Sequence, residues 1–232
     1  METPHYVLAA TPTEQVRLRQ FFDTDGKVAH LLEHPPETRY ASFGLTTLDS
    51  AHLVKGEFLE VRSSNRKVVH LYPDGTLIFR ALANDEFLGW PLKEEEFLRQ
   101  PLINPIVVCD TAVSFVRFYQ ALLPLFVMAP KSIRFRIELR NAVLGDKPLS
   151  LVPGGIQGAA WQCRAQGKVV SEPNPRAKVQ ATVEDVASKP DAIAYQLVEQ
   201  FYSFFDLGTD AIVYVNDKDG TYVIDVELFD KR

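Results

Sequence analysis

The chain has 232 residues, 46% of them hydrophobic and 24% charged, which is typical of a globular protein that can bury a sizeable core. The formal net charge of -5 argues against indiscriminate binding to nucleic acid or to an anionic membrane, although a local basic face is compatible with it. The two cysteines, Cys109 and Cys163, form no Cys-x-x-Cys pair, so we expect buried free thiols rather than a disulfide framework.

The sequence indicates neither a secretory signal nor a membrane span. Its start lacks a basic segment followed by an apolar run, which a secretory signal requires. The most apolar segment, residues 121–130, is about half as long as the ~20 residues of a spanning helix and contains Pro124. We therefore expect a cytoplasmic protein without a membrane partner.

The first part of the chain predicts one helix and then strands. Residues 11–26 fit a short helix that ends at Gly26, and strand-like sequence follows at 39–48, 51–63 and 66–82. The last of these is a hairpin. Pro73 presets the first turn position, Asp74 can bond back to the backbone, and Gly75 accepts a positive φ.

The middle and the end of the chain predict two long apolar helices. A brief acidic helix is expected at 91–102. The first long helix begins at Asn104 and Pro105, an N-cap residue followed by a first-turn proline, and ends before Pro124. The second occupies 188–208, where four apolar residues recur at i, i+4: Ile193, Leu197, Phe201 and Phe205.

The remaining segments predict strands and loops. Residues 131–140 alternate between apolar and charged side chains, as a half-buried strand does. A strand is expected at 159–170 and a proline-rich loop at 171–178, and a terminal hairpin turns at Asp219 and Gly220.

This order of elements predicts the fold class. The strands occur in hairpin-joined groups and do not alternate one-for-one with helices, so we predict an α+β fold with largely antiparallel sheet, packed by the two long apolar helices. The 232 residues form either one domain or two subdomains with a seam near 91–105.

The motif His-x-x-Glu-His is the one sequence that resembles a catalytic signature. His30, Glu33 and His34 have the spacing of two zinc ligands and a base in the inverted-motif zinc peptidases. Pro35 and Pro36 limit any helix there to barely two turns, and the candidate third ligand, Asp110, belongs to a helix that we expect to be buried. Two surface histidines at a helix end are the favoured interpretation, and we assign no metal or cofactor.

Other catalytic patterns are missing from the sequence. There is no Gly-x-Ser-x-Gly, and neither cysteine has an evident partner base. The Asp217–Gly220 run is better explained as a hairpin turn than as a calcium loop, and the glycine-rich run at 153–158 lacks the Lys-Ser/Thr of a phosphate-binding loop. These absences favour a protein that is not an enzyme.

The charged face of the strand at 131–140 is the strongest surface feature. It carries Lys131, Arg134, Arg136 and Arg140 against the single acid Glu138. Alternate residues on a strand lie about 7 Å apart, close to the spacing of phosphates along one nucleic-acid strand. The alternative is a solvated face paired to neighbouring acids. If the strands adjoin, three further basic residues extend the same surface: Arg62, Arg66 and Lys67.

Residues 45–90 resemble a known sequence context. The segments NRKVVHLYPDGTLIF and NDEFLGW, with the later FVRFYQAL, are similar to the region downstream of AlbA/Schlafen-type DNA-binding domains in bacterial multidomain proteins. The resemblance covers about a third of the chain and does not include the DNA-binding domain itself. It implies an accessory or sensing module of a nucleic-acid-associated or defence system, with no catalytic residues to transfer.

These observations predict a non-enzymatic binding or regulatory module. A protein partner is the first expectation, and a nucleic-acid partner bound through the basic strand face is the second. The alternative function is a metal-dependent hydrolase that uses the motif at 30–34.

Overall fold

A computed structural model describes residues 3–23, 26–36, 52–54, 56–63, 67–154 and 167–228. Its strands, in chain order, are β1 (His5–Pro12), β2 (His52–Val54), β3 (Phe58–Ser63), β4 (Lys67–Leu71), β5 (Leu77–Leu82), β6 (Leu102–Ile103), β7 (Ser132–Arg140), β8 (Val143–Leu144), β9 (Lys147–Pro148), β10 (Ser150–Leu151), β11 (Lys168–Val169), β12 (Arg176–Thr182), β13 (Val215–Lys218) and β14 (Thr221–Ile224). The α-helices are α1 (Lys27–Glu33), α2 (Glu94–Arg99), α3 (Pro105–Leu122), α4 (Val183–Ser188) and α5 (Pro190–Ser203).

A seven-stranded antiparallel sheet organises the fold. Its strand order is β12-β7-β1-β5-β4-β3-β2, so the N-terminal strand β1 lies in the middle, between β5 and β7. Strands β2 to β5 form a meander of consecutive antiparallel neighbours, as the hairpin pattern predicts. The predicted α+β class with a large antiparallel sheet is confirmed.

One face of the sheet carries the hydrophobic core. Alternate residues of the strands, among them Leu8, Phe79, Phe135 and Val179, belong to a single buried cluster that draws residues from Tyr6 to Ile224. Helices α3 and α5 contact each other, and α5 also contacts β7 and β12. Burial of this face against helices is the main source of stability that such a layered arrangement offers.

Helix α3 is the central helix that the sequence predicts. Asn104 caps it, accepting a hydrogen bond from the Ile106 N–H through its side-chain oxygen at 2.9 Å, and Pro105 occupies the first turn. With its 3-10 extension to Leu125, α3 is long and apolar enough to span a membrane. However, 72% of an 18-residue apolar stretch of this helix is buried inside the protein.

The second predicted long helix is shorter than expected. The segment 183–203 is divided into α4 and α5, and α5 has only 14 residues. Pro190 cannot continue a preceding helix without losing a backbone hydrogen bond, so a new helix begins there. The expectation of two long apolar helices therefore holds for α3 alone.

The helix predicted at 11–26 is wrong. Strand β1 continues to Pro12, and the backbone beyond it bonds to distant segments. The Leu18 N–H donates to the Pro73 carbonyl at 2.9 Å, and the Arg19 N–H donates to the Leu125 carbonyl at 2.8 Å. The apolar residues Val16, Leu18 and Phe21 are buried, but through these long-range contacts rather than on one face of a helix.

The turns follow the sequence prediction. At the β4–β5 turn, Gly75 has φ +79° and Asp74 Oδ1 accepts from the Thr76 N–H at 2.8 Å. Asp219 and Gly220, which both have positive φ, connect β13 to β14, so the Asp217–Gly220 run is a hairpin turn. The strand expected at 39–48 lies outside the described residues, as do most of the one expected at 159–170, Cys163 and all but the start of the glycine-rich run.

Candidate binding face of the sheet

The second face of the sheet, opposite the hydrophobic core, carries a concentration of basic side chains. Successive residues of a strand point to opposite faces, so the residues that alternate with the core residues of β5, β7 and β12 share this second surface. We call these residues the arginine face: Arg80 of β5, Arg134, Arg136, Glu138 and Arg140 of β7, and Arg176 and Lys178 of β12.

Strand register brings these side chains together. Arg176 pairs with Glu138, Glu138 with Val7, and Val7 with Arg80. In the next row Lys178 pairs with Arg136. Because neighbouring strands lie about 4.8 Å apart, Arg176 and Arg80 start only about 14 Å from each other, and long side chains can converge over the strands between them.

Glu138 is the buried centre of the arginine face. Arg140 Nε and Arg176 Nη2 both donate to Glu138 Oε1, at 2.9 and 3.1 Å. Arg136 Nε lies 3.3 Å from Glu138 Oε2, which is close enough for an ion pair although it is not aligned for a hydrogen bond. The Glu138 side chain is only 2% exposed, whereas the three arginines are 29–45% exposed.

One carboxylate does not balance the positive charge around it. Burial lowers the pKa of Arg136, Glu138 opposes that shift, and the neighbouring Arg176, Arg140 and Arg80 lower the pKa further by like-charge repulsion. Burial alone would raise the pKa of Glu138, but the hydrogen bonds from Arg176 and Arg140 hold it below its usual value. The charges of three neighbouring arginines therefore act on Arg136, whereas Glu138 is the one acid that opposes them there.

Arg80 and Arg134 leave hydrogen-bond donors available on this surface. The Nε of Arg80 is buried and has no hydrogen-bond partner in the described part of the chain. Arg134 is exposed and forms no ion pair with any described residue. An anion at this surface would supply acceptors for these N–H groups.

The basic surface predicted from the sequence does not include Arg80, Arg176 and Lys178. Each belongs to a strand with alternating burial, and this alternation was the available signal. The prolines Pro173 and Pro175 instead predict a loop at 171–178, which includes the start of β12. The strand order places β12 beside β7 and separates β7 from β5 by β1. This order cannot be read from a local sequence pattern.

The other predicted basic residues have different positions. Lys131 is exposed but precedes β7, and its backbone N–H donates to Glu14 at 3.1 Å. Arg62 lies on the same face of the sheet as Arg80, two strands away, and pairs with Glu60 at 2.6 Å. Arg66 lies outside the described residues.

Lys67 does not belong to the basic face. Its position in β4 directs it to the core side, where it is 3% exposed and its Nζ lies 4.8 Å from the centroid of the Phe87 ring. Burial lowers its pKa to about 8, against the opposing effect of Asp110 and Glu86. The prediction for Lys67 is wrong. Val68 pairs with Arg62 and Arg80 and shares their face of the sheet, so the adjacent residue Lys67 points to the opposite face.

Aromatic side chains lie at the far end of the same sheet face. The Phe58 ring is 4.7 Å from the His70 ring and 5.2 Å from the Tyr72 ring, centroid to centroid. His70 Nε2 lies 2.7 Å from Glu60 Oε2, so this aromatic group adjoins the Arg62–Glu60 pair. All three rings are half-buried, which leaves part of each ring accessible.

The His-x-x-Glu-His residues are close together. Helix α1 is seven residues long, and the His34 N–H still donates to the His30 carbonyl at 2.9 Å although His34 itself has left the helical conformation. Potential ligand atoms of His30, Glu33 and His34 lie within 4.8 Å of one another, and both histidines are exposed. Asp110 is fully buried in α3 and is not part of this group.

The described cysteine does not have the environment of a nucleophile. Cys109 is fully buried in α3, and burial raises its pKa to about 12. Its Sγ lies 3.9 Å from the hydroxyl of Tyr202, whose own pKa burial also raises. A thiol in this environment stays protonated, as expected for a structural residue.

Comparison with known proteins gives no relative: no family model, no curated protein and no solved structure matches the chain.

Proposed function

We propose that this chain is a non-enzymatic binding module, an accessory or regulatory component of a nucleic-acid-associated system in the cytoplasm, and that the arginine face binds an anionic partner. The observation that carries the proposal is the convergence of the Arg136, Arg140 and Arg176 guanidinium groups on the buried carboxylate of Glu138, with Arg80 close enough to act on Arg136. In a chain of net charge -5, this local excess of positive charge creates a potential that attracts an anion.

A phosphate-bearing strand fits this surface better than an acidic protein surface does. Arg134 and Arg136 lie two residues apart on β7, about 7 Å from each other, and Arg140 follows beyond Glu138. Guanidinium groups can bind phosphate oxygens through two parallel hydrogen bonds. Phe58, Tyr72 and His70 lie at the far end of the same sheet face, and single-stranded nucleic acids contact a basic surface together with aromatic rings.

Binding of a labelled single strand of about 16 nucleotides tests the proposal. Fluorescence anisotropy should show saturable binding that weakens between ~50 and ~200 mM salt, because phosphate contacts release counterions. The double variant Arg134→Glu, Arg136→Glu should weaken it by about a hundredfold or more. Arg99→Glu, an exposed position in α2, introduces the same type of charge change elsewhere and should leave the affinity nearly unchanged.

Three probes separate the possible partners. A duplex of the same sequence should bind more weakly than the single strand, because its bases are not available for stacking on Phe58 and Tyr72. Polyglutamate represents an acidic protein. If polyglutamate binds and the nucleic acid does not, the partner is a protein, and if binding is insensitive to salt and to the double variant, the arginine face is not the site.

A further inference from the structure

The C-terminal end of α1 carries a group of metal-ligating side chains that the binding proposal does not use. His30 and His34 are exposed, Glu33 is half-buried, and their ligand atoms lie within 4.8 Å of one another. The two imidazole rings are 4.6 Å apart, centroid to centroid. Among the described residues this is the cluster that combines two imidazoles with a carboxylate.

Backbone geometry explains why these side chains meet. Residues four apart on a helix lie one above the other on the same face, and the hydrogen bond from the His34 N–H to the His30 carbonyl preserves that relationship at the helix end. The helix ends at Glu33, and Pro35 and Pro36 follow His34, but the two rings are not separated. The sequence-based objection to the motif therefore applies to the length of the helix and not to the spacing of the ligands.

The helix that presents these ligands is anchored in the core. Val28, Ala29 and Leu32 are buried, and α1 contacts both α3 and β3. The ligands therefore project from a backbone that the core holds in place, while the exposed histidine side chains can change rotamer. Ligands of one tetrahedral zinc ion lie about 3.3 Å apart, so small rotamer changes are enough to close the 4.8 Å group around a metal.

We propose that His30, Glu33 and His34 bind one divalent transition-metal ion of the zinc class. Two imidazole nitrogens and one carboxylate oxygen form a typical three-ligand set for zinc, with water in the remaining position. Imidazole ligands favour zinc, copper and nickel, whereas magnesium and calcium favour oxygen ligands. In this site Glu33 is a ligand rather than a general base, so the proposal is metal binding and does not include hydrolysis.

Calorimetric titration of the purified protein with zinc tests this site. We expect one zinc ion per chain, no heat from magnesium at the same concentration, and weaker binding on acidification because protons compete for the imidazole nitrogens. His30→Ala and His34→Ala should each abolish saturable zinc binding. His5→Ala removes a histidine at the start of β1 and should leave zinc binding unchanged.

A thermal melt provides the second readout and keeps the proposal testable if an alanine variant is less stable. Zinc that binds only the folded state should raise the melting temperature of the wild-type chain and of His5→Ala, but not that of His30→Gln or His34→Gln. If zinc gives no saturable binding, or binds these glutamine variants as tightly as the wild type, the site does not exist. Either result leaves the nucleic-acid proposal untouched, because the arginine face shares no residue with this group.

Discussion

Glu138 shows how a single residue can organise a basic surface without neutralising it. Its buried carboxylate accepts hydrogen bonds from Arg140 and Arg176 and lies 3.3 Å from Arg136 Nε, so it holds three flexible side chains in one region. Ordering these side chains in advance lowers the entropy cost of binding an anion. The acid is therefore compatible with an anion-binding surface, although its own negative charge opposes the anion.

Glu138→Gln tests how much the ion pairs of Glu138 contribute to the stability of the folded protein. Removing the charge leaves the guanidinium groups of Arg136, Arg140 and Arg176 repelling one another, so we expect the free energy of unfolding to fall by about 1–3 kcal/mol. The loss should shrink in high salt, which screens the repulsion. Urea unfolding at two salt concentrations measures it, with the exposed Glu57→Gln as a control that should change little.

Glu138→Gln should lower stability without lowering the affinity for the labelled single strand. With one negative charge fewer, the arginine face should bind the strand at least as tightly as the wild type does, provided that the protein is folded. A large loss of affinity in folded Glu138→Gln would mean that positioning by the carboxylate outweighs the added positive charge. Unchanged stability would mean that the three ion pairs contribute nothing to the fold.

The sequence predicts the turns, caps and strands that follow a local rule. The turn at Pro73–Gly75, the Asn104 cap and the alternation of β7 are all confirmed because neighbouring residues determine them. The sequence does not predict strand β1, and the reason is physical. Val7 and Ala9 are buried on the arginine side of the sheet while Tyr6 and Leu8 are buried in the core, so the strand shows no alternation.

The candidate site was only partly predictable for a related reason. Arg134, Arg136 and Arg140 could be found because one alternating strand carries them. Arg80 and Arg176 join them only through the order β12-β7-β1-β5, which pairs strands far apart in sequence. Long-range pairing depends on how the whole sheet assembles, and no local pattern of residues encodes it.

Gly75→Ala tests the confirmed hairpin turn between β4 and β5. The alanine Cβ would strain a backbone with φ +79° and would collide with the Phe126 ring, so we expect a loss of about 2–3 kcal/mol in the free energy of unfolding. Gly220→Ala is the matched control, since its φ is +78° but nothing lies within 4 Å of the new Cβ. It should cost about 1 kcal/mol, and equal losses in urea unfolding would exclude a contribution from Phe126.

Several carboxylates in different parts of the folded protein are charged and paired. Hydrogen bonding from Arg62 lowers the pKa of Glu60 to about 2, and the pKa of Glu138 is also lowered. Asn216 and Lys218 lower the pKa of Asp225, which is 5% exposed. Each of these acids binds a proton more readily in the unfolded chain than in the folded protein, so acid favours unfolding.

The pH dependence of stability should therefore have a definite sign and range. For Glu60, whose usual pKa is 4.5, the stabilising contribution is fully present above about pH 4.5 and is lost as the pH falls towards 2. We expect the free energy of unfolding, measured by urea at a series of pH values, to decrease steadily across this interval. Glu60→Gln should be less stable than the wild type at pH 7 and should show a shallower decrease, because it cannot take up that proton. Parallel curves for the two proteins would mean that the Arg62–Glu60–His70 contacts do not stabilise the folded state.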